Sequence, residues 1–362
     1  MPWRAPKRRG PGVTIKDVAQ RAGVSTATVS RVLNDPNYRC AEPGMREKIW
    51  RIAMEMNYTP NASARSLKLR DDPGKTAFFQ ALMTRAGAES ENDPFFRELL
   101  HCVETEVADH HCVLSGIQYR AELSDDKRCA RMDPVARVRK MREAAGGRCD
   151  GIIVIGKCNK DILRELQRQY VNVVSINRNS TEYAVDEVLC DGEKVAAMAV
   201  GHVLELGHRR IGYVGGCRNE SRYRGYQAAL RDNGLDLIPG YVQETGQTEE
   251  EGYRAMRAFL ALAEPPSAVY CANDLSAIGA LRCLGEMRQL RARPSIVASD
   301  DIEAAQSCSP MLTTVRVPKR EMAHLAVQLL VDRWEGGHTG VVRVEVEAAL
   351  MQRESCQPFR ES

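Results

Sequence analysis

The stretch Val13 to Asn34, VTIKDVAQRAGVSTATVSRVLN, decides how the first part of the chain folds. It reads as two short helices joined by a tight turn. Thr14 is placed to cap the first helix, with Asp17 three residues on in the capping-box position. Val18, Ala19 and Ala22 give that helix an inner stripe, and Gly23 supplies the residue tolerant of positive φ that ends it. Ser25 caps the second helix, whose inner face is Val29, Val32 and Leu33. Ala19 is small where the two helices must cross closely. The outer face of the second helix carries Thr26, Ala27, Ser30 and Arg31, with Asn34 at its end. Short polar groups and one arginine suit the reading of base edges in a major groove.

The charge distribution agrees. Residues 1–70 carry 14 Lys/Arg against 5 Asp/Glu, a net of +9, so the overall +3 hides a body of net −6. A basic head on a mildly acidic body is the footprint of a nucleic-acid-binding module attached to something that binds another ligand. Residues 1–12, MPWRAPKRRGPG, are basic and rich in Pro and Gly, and are expected to be disordered. They lack the apolar core of a signal peptide, and nothing approaches the roughly 18 apolar residues of a membrane span. A soluble cytoplasmic protein is expected. The 12 cysteines are scattered with no metal-ligand spacing. They read as small buried hydrophobes held reduced, with a redox-sensing role for one of them left open.

Outward from the head, DPNYRCAEPG is a loop, and a third helix over 45–56 carries Ile49, Ile52, Ala53 and Met56 at core spacing. The headpiece spans 13–60. In NYTPNASARSLKLRDDPG, Pro60 breaks the helix and Asn61 or Ser63 caps a short new one. Ala64, Arg65 and Leu67 lie on a piece too short to be stable alone in water. Over 61–73 it is expected to form only when a partner copy and a DNA groove hold it. Arg65, Lys68 and Arg70 would contact phosphates, and Leu67 is an apolar wedge for an unstacked base step.

From Lys75 the pattern alternates. TAFFQALM, CVLSGIQY, GIIVIG, VNVVSI, RIGYVGG, AVYCAN and SIVASD read as strands separated by amphipathic helical stretches. This is an α/β pattern of parallel sheets flanked by helices, too many units for one small sheet and suited to two lobes. The charged stretch from Tyr119 to Cys149 reads as a loop and an exposed helix. Ligands bind such sheets at the carboxyl ends of strands. Polar residues stand there repeatedly: Asn177 and Arg178, Arg222, Asn273 and Asp274, Asp300 and Asp301. One such residue is routine capping, but four such loops look like a polar cleft for a hydroxylated small molecule. An enzyme reading finds little support. GYVGGCRNE fails the dinucleotide spacing, and there is no P-loop lysine, no Gly-x-Ser-x-Gly elbow and no His pair at metal spacing. His208 reads as part of the turn after Gly207. No cofactor, metal or catalytic residue is expected.

Taken together, these residues resemble the LacI/GalR family of bacterial transcription regulators. VTIKDVAQRAGVSTATVSRVLN is similar to the family headpiece, NYTPNASARSL to its hinge helix, DPFFREL to its first effector loop and LGHRRIGYVGG to its central signature. ANDLSAIGAL, SDDI and PMLTTVRVP resemble three more blocks in the family's order. The resemblance implies a homodimer on a pseudo-palindromic operator, with Thr26, Ala27 and Arg31 reading bases and paired Leu67 side chains opening the central step. It implies a periplasmic-binding-protein-like core of two lobes joined by three crossovers. The N-subdomain would take about 74–177 and 318–340, and the C-subdomain about 178–317 and 341–362. The effector would lie between them, with Phe95 and Phe96 stacking and Asn177, Arg222, Asn273 and Asp300 as polar ligands. Gln247 is a further candidate. A sugar or sugar derivative is the expected effector class, with a purine as a similar fit.

There are departures from the family pattern. The loop before the third helix is about two residues longer than usual, Cys40-Ala41 replaces the customary Val-Ser cap, and ASDD stands where Gly and an aromatic residue usually precede the acidic pair. No leucine heptad follows MQRESC, which favours a dimer over a tetramer. The alternatives are an effector-independent regulator whose pocket has decayed, or an enzyme on the α/β core.

Overall fold

The computed structural model describes residues 15–34, single positions between 44 and 56, and then 76–84, 93–124, 126–287 and 293–360. The readings for the tail 1–12, the Thr14 cap, the loop 35–43 and the hinge segment 61–73 fall outside the described residues. That includes Asn61, Ala64, Arg65, Leu67 and Lys68. The chain divides into two compact units, Met1–Lys75 and Thr76–Ser362.

In the first unit, α1 (Ile15–Ala22) and α2 (Thr26–Asn34) form as the pattern requires. Val18, Ala19, Ala22, Val29 and Val32 are buried together with Ile49 and Ile52. Gly23 has φ +74°, and Val24 N–H closes back on the Ala19 carbonyl at 3.1 Å. Ser25 Oγ accepts from Thr28 N–H at 3.1 Å, capping α2.

In the second unit, the described residues hold two six-stranded sheets. The first contains β1 (Phe78–Met83), β2 (Val113–Tyr119), β3 (Gly151–Ile155), β4 (Val173–Asn177), β5 (Asp186–Leu189) and β11 (Arg343–Glu345), ordered β11-β5-β4-β3-β1-β2 and parallel throughout. The second contains β6 (Ile211–Gly215), β7 (Val242–Glu244), β8 (Ala268–Cys271), β9 (Ser295–Asp300), β10 (Thr313–Arg316) and β12 (Ala349–Met351). Its order is β12-β10-β9-β8-β6-β7, and β12 runs antiparallel to β10. Central strands such as β3, β6 and β9 are buried at every position, as parallel strands covered on both faces must be.

Helices α3 (Pro94–Asp109) and α10 (Lys319–Glu335) cover one face of the first sheet. On the other face, Val138 and Met141 of α4 (Pro134–Ala145) and Ile162, Leu163 and Leu166 of α5 (Lys160–Tyr170) pack against Ile152 and Val154. The charged stretch 119–149 is therefore partly structural: Leu123, Cys129, Val138 and Met141 are buried beneath its exposed charges. In the second lobe α6 (Gly192–Glu205) and α7 (Ser221–Asp232) flank one face, and α8 (Glu249–Leu260) and α9 (Asp274–Glu286) the other. The last pair crosses so closely that a Cβ at Gly279 would lie 1.8 Å from the Glu249 carbonyl oxygen, and one at Gly252 would lie 2.0 Å from that of Ser276.

The expected lobe boundaries need correction. β5 begins with two acidic residues and so escapes a reading by apolar runs, yet it belongs to the first sheet, as does β11. The chain passes between the sheets at 190–191, 317–318 and 346–348, not at 177–178 and 340–341. Buried Asp186 and Glu187 are tolerated because each is supplied with donors: Thr181 N–H and Ser180 Oγ–H reach Glu187 at 2.6 and 3.1 Å. His208 is buried in the turn after Gly207, with its ring nitrogens 3.0 Å from Ser267 Oγ and 2.9 Å from the Gln357 carbonyl. None of the described cysteines forms a disulfide. Burial pushes Cys112 and Cys356 up to about 11 and Cys190 up to about 12, so these three keep their protons at neutral pH. Among the described residues no helix is long and apolar enough to cross a membrane.

Candidate functional site

Two places carry chemistry. On the head, α2 leaves Thr26 and Arg31 exposed, opposite the buried Val29 and Val32. The side chains of Ala27, Ser30 and Asn34 are not among those described. Lys16, Gln20 and Arg21 of α1 are exposed too, and the start of α2 has no acidic residue. An anion such as a phosphate can therefore approach its N-terminal turn, where Ser25 takes only the Thr28 N–H, without repulsion from an acidic side chain there.

In the core, a cavity of about 210 Å³ opens between the lobes. Asp93 sets its aromatic wall by accepting from Phe95 N–H at 3.0 Å, with Pro94 starting α3. Phe95 and Phe96 then meet edge to face, with centroids 5.1 Å apart. Asn177 and Arg178 stand at the end of β4. From the second lobe come Glu220, Arg222 and Gln247. Arg222 is wholly occupied by the protein: Nε–H donates to Glu220 at 2.8 Å, one Nη to the Ala272 carbonyl and the other to Gln247 Oε1 at 3.4 Å. Burial raises the Glu220 carboxyl, but the Arg222 charge outweighs it and leaves a pKa of about 2.

The candidate residues do not all converge. Phe95, Phe96, Asn177, Arg222 and Gln247 line the cavity, whereas Asn273 and Asp300 do not. The Asn273 amide is consumed as a cap: its Oδ1 accepts from Ser276 N–H at 3.2 Å, and its Nδ2–H donates to the Gln247 carbonyl at 2.8 Å. Asp274 accepts from Ile302 N–H at 2.8 Å and from the Thr314 hydroxyl at 2.5 Å, which ties α9 to the neighbouring loop and strand. Asp300 forms a buried ion pair with Arg178, whose guanidinium lies 4.4 Å from the centre of the Phe95 ring. Asp300 comes from the second lobe and Arg178 from the first, so this pair crosses the cleft. So do Lys157 Nζ, which donates to the Arg218 carbonyl at 3.3 Å, and Lys319 Nζ, which donates to the Asp300 carbonyl at 3.0 Å. Asp300 and Gln247 hold φ of +132° and +70°, values that non-glycine residues rarely adopt.

The sequence reading placed Arg178 at a strand end without carrying it into the site. Lys157, Asn179, Glu220 and Lys319 were missed. Glu220 and Asn179 had a usable signal, since both flank the strand-end residues already singled out. Lys319 had none, because it reaches the cleft from the start of a helix rather than from a strand end.

Comparison with known proteins accords with both places. Residues 14–61 match the model for bacterial regulatory proteins of the lacI family, and residues 200–356 that for a periplasmic-binding-protein-like domain. The transcriptional repressor PurR of Haemophilus influenzae is 31% identical over 357 residues, covering 94% of this chain and 98% of that protein. The repressor CytR of Escherichia coli is 30% identical over 341 residues, covering 92% and 93%. Among solved structures, the transcriptional regulator CelR in complex with cellobiose aligns with a TM-score of 0.66 at 26% identity, over 95% of this chain and all of that one. The lac repressor dimer bound to operator and the anti-inducer ONPF shares the fold, with a TM-score of 0.63 at 22% identity over 95% and 99%. With a helix-turn-helix head and a two-sheet core matched along almost its whole length to such relatives, the chain belongs to the LacI family of bacterial transcription regulators.

Proposed function

We propose that this protein is a cytoplasmic repressor that binds a pseudo-palindromic operator as a homodimer and is controlled by a small hydroxylated metabolite held between the lobes. The observation that carries the control is the cleft itself. Its polar walls come from both lobes and its aromatic wall from the first, and a buried ion pair, Arg178–Asp300, crosses it. A ligand there contacts both lobes and so acts on the separation that the ion pair also governs. To switch occupancy it needs a differential affinity between the two states of about 1–3 kcal/mol. At about 210 Å³ the cavity is smaller than common drug-sized pockets, which run to about 300–1,000 Å³. A single sugar ring or a purine base therefore suits it better than a long ligand. Phe95 and Phe96 offer ring faces, while Asn177, Asn179 and Gln247 offer hydrogen-bonding amides. The change of lobe separation would reach DNA through segment 61–73 and the contact of Leu67 with the minor groove.

The test is binding of the full-length protein to its own upstream DNA at fixed salt, with and without a panel of monosaccharides and purines. A specific complex whose affinity one compound changes at least fivefold supports the reading. A specific complex that nothing alters points to the effector-independent alternative, which the engagement of Arg178 and Arg222 by the protein itself favours. For the head, Arg31→Ala should cost about 1–3 kcal/mol on operator if Arg31 pairs with a guanine. Unchanged specificity in that variant would remove Arg31 from the reading surface.

A further inference from the structure

Away from the cleft, α3 and α10 bring three potential ligands together on the first lobe. Glu106 and His110 are four residues apart, the second just past the end of α3, where its N–H bonds the Glu106 carbonyl at 3.0 Å. His324 faces them from α10. Its Nδ1 is 2.9 Å from Glu106 Oε2, and its ring centroid is 6.4 Å from that of His110. One donor atom of each residue lies within 4.8 Å of those of the other two; Glu106 and His110 are half-buried and His324 is exposed.

We propose that Glu106, His110 and His324 form a binding site for a divalent transition metal of the zinc class. Two imidazoles and one carboxylate are borderline ligands that suit zinc, cobalt or nickel rather than the all-oxygen cages of calcium or magnesium. In a tetrahedral zinc site with bonds of about 2.0–2.1 Å, neighbouring donors stand about 3.3 Å apart. Donor atoms that now lie within 4.8 Å would have to close to this, and the His324 side chain, 46% exposed, has room to turn. Three protein ligands leave the fourth position to water. The bound ion would fasten the first helix of the core to the helix that follows the second passage between the lobes, and would stabilise the first lobe by mass action. The set is invisible to motif spacing because 218 residues separate Glu106 from His324.

The experiment is titration of metal-free, full-length, reduced protein with Zn²⁺ against a chromogenic chelator, and with Co²⁺ followed by absorption. Wild type and a variant of the nearby thiol on α3 one turn before Glu106, Cys102→Ser, should bind one equivalent more than His110→Ala, His324→Ala or Glu106→Gln. The cobalt spectrum should show visible d–d bands without a thiolate charge-transfer band, and Zn²⁺ should raise the thermal midpoint of wild type but not of the three variants. Equal stoichiometry in wild type and all three variants overturns the proposal, as does the absence of any bound ion in wild type. Should a variant fail to fold, the wild-type cobalt spectrum decides alone: a thiolate band in the first equivalent overturns the assignment, and its absence with d–d bands present upholds it.

Discussion

Asp186 and Asp300 are both buried against arginines, yet they end in opposite electrostatic states. Asp186, at the start of β5, is met by Arg333 Nε and Nη2 at 2.5 and 2.7 Å, by Val342 N–H at 2.7 Å and by His338 Nε2 at 2.9 Å. Burial alone would raise its pKa, but these donors outweigh burial and hold it below the ordinary value of 3.8. Asp300, at the end of β9, is just as hidden, yet its pKa is raised. Burial dominates, Asp93 adds repulsion, and Arg178, Arg222 and Lys319 only partly compensate. Nearby Lys319 spends its donors on the Asp300 and Asp301 carbonyls rather than on the Asp300 carboxylate. Asp186 has a full set of donors fixed within one lobe and acts as a clasp. Asp300 is short of donors and depends on a partner from the other lobe, which is what a group that exchanges partners during lobe movement requires.

The largest expected effect breaks the clasp. Asp186→Ala leaves Arg333 buried without its counter-ion and should destabilise the protein by about 3–5 kcal/mol, read from urea unfolding. A cost below 1 kcal/mol would show that Asp186 is not a clasp. Asp300→Asn keeps an acceptor toward Arg178 and removes a charge that burial already disfavours. It should cost about 1–2 kcal/mol, and should change the response to effector more than it changes operator affinity without effector. If the two variants were equally unstable, the contrast between the sites would be void.

The pH dependence of stability separates them further. Asp186 has a depressed folded pKa, so its contribution is present above about pH 3.8 and is lost as pH falls through the folded value. Asp300 has a raised folded pKa, as does Asp274, which burial and the neighbouring Asp300 push up to about 7. Their contributions are present below pH 3.8 and are lost as pH rises, for Asp274 through about 7. Asp186→Asn should therefore flatten the acid limb of a stability profile, while Asp300→Asn should flatten the descending limb above pH 4. Thermal midpoints from pH 3 to 8 check both signs.

How much of this was legible follows from the range of the interactions. The head is written locally: Ser25, Gly23 and the apolar spacing of Val18, Ala22, Val29 and Val32 act within a few residues, and the structure places them as read. The cleft is half legible. Phe95, Phe96 and Asn177 are where strand ends and the helix start put them. That the Asn273 oxygen caps Ser276 is a local choice, but that its amide goes to the Gln247 carbonyl, 26 residues back, and that Arg178, 122 residues away, takes Asp300 depends on distant neighbours. The clasp was not legible at all. Asp186 and Glu187 at the head of a strand look like surface residues until Arg333, His338 and Arg343 are brought to them from the far end of the chain.

His338 sharpens the comparison with the smallest expected effect. Its Nδ1 bonds Asp332 at 2.5 Å and its Nε2 bonds Asp186 at 2.9 Å, and these two carboxylates raise its pKa above the ordinary 6.5. A histidine with a raised folded pKa stabilises the fold fully below about pH 6.5 and loses that contribution as pH rises through the folded value. His338→Gln should therefore cost about 1 kcal/mol at pH 5.5 and much less at pH 9, where the imidazole is neutral and Arg333 alone carries the charge opposite Asp186. Urea unfolding at the two pH values reads the difference directly. A cost that grew with pH would mean that His338 serves the clasp as a neutral hydrogen-bond donor, and that the depressed state of Asp186 owes nothing to imidazolium charge.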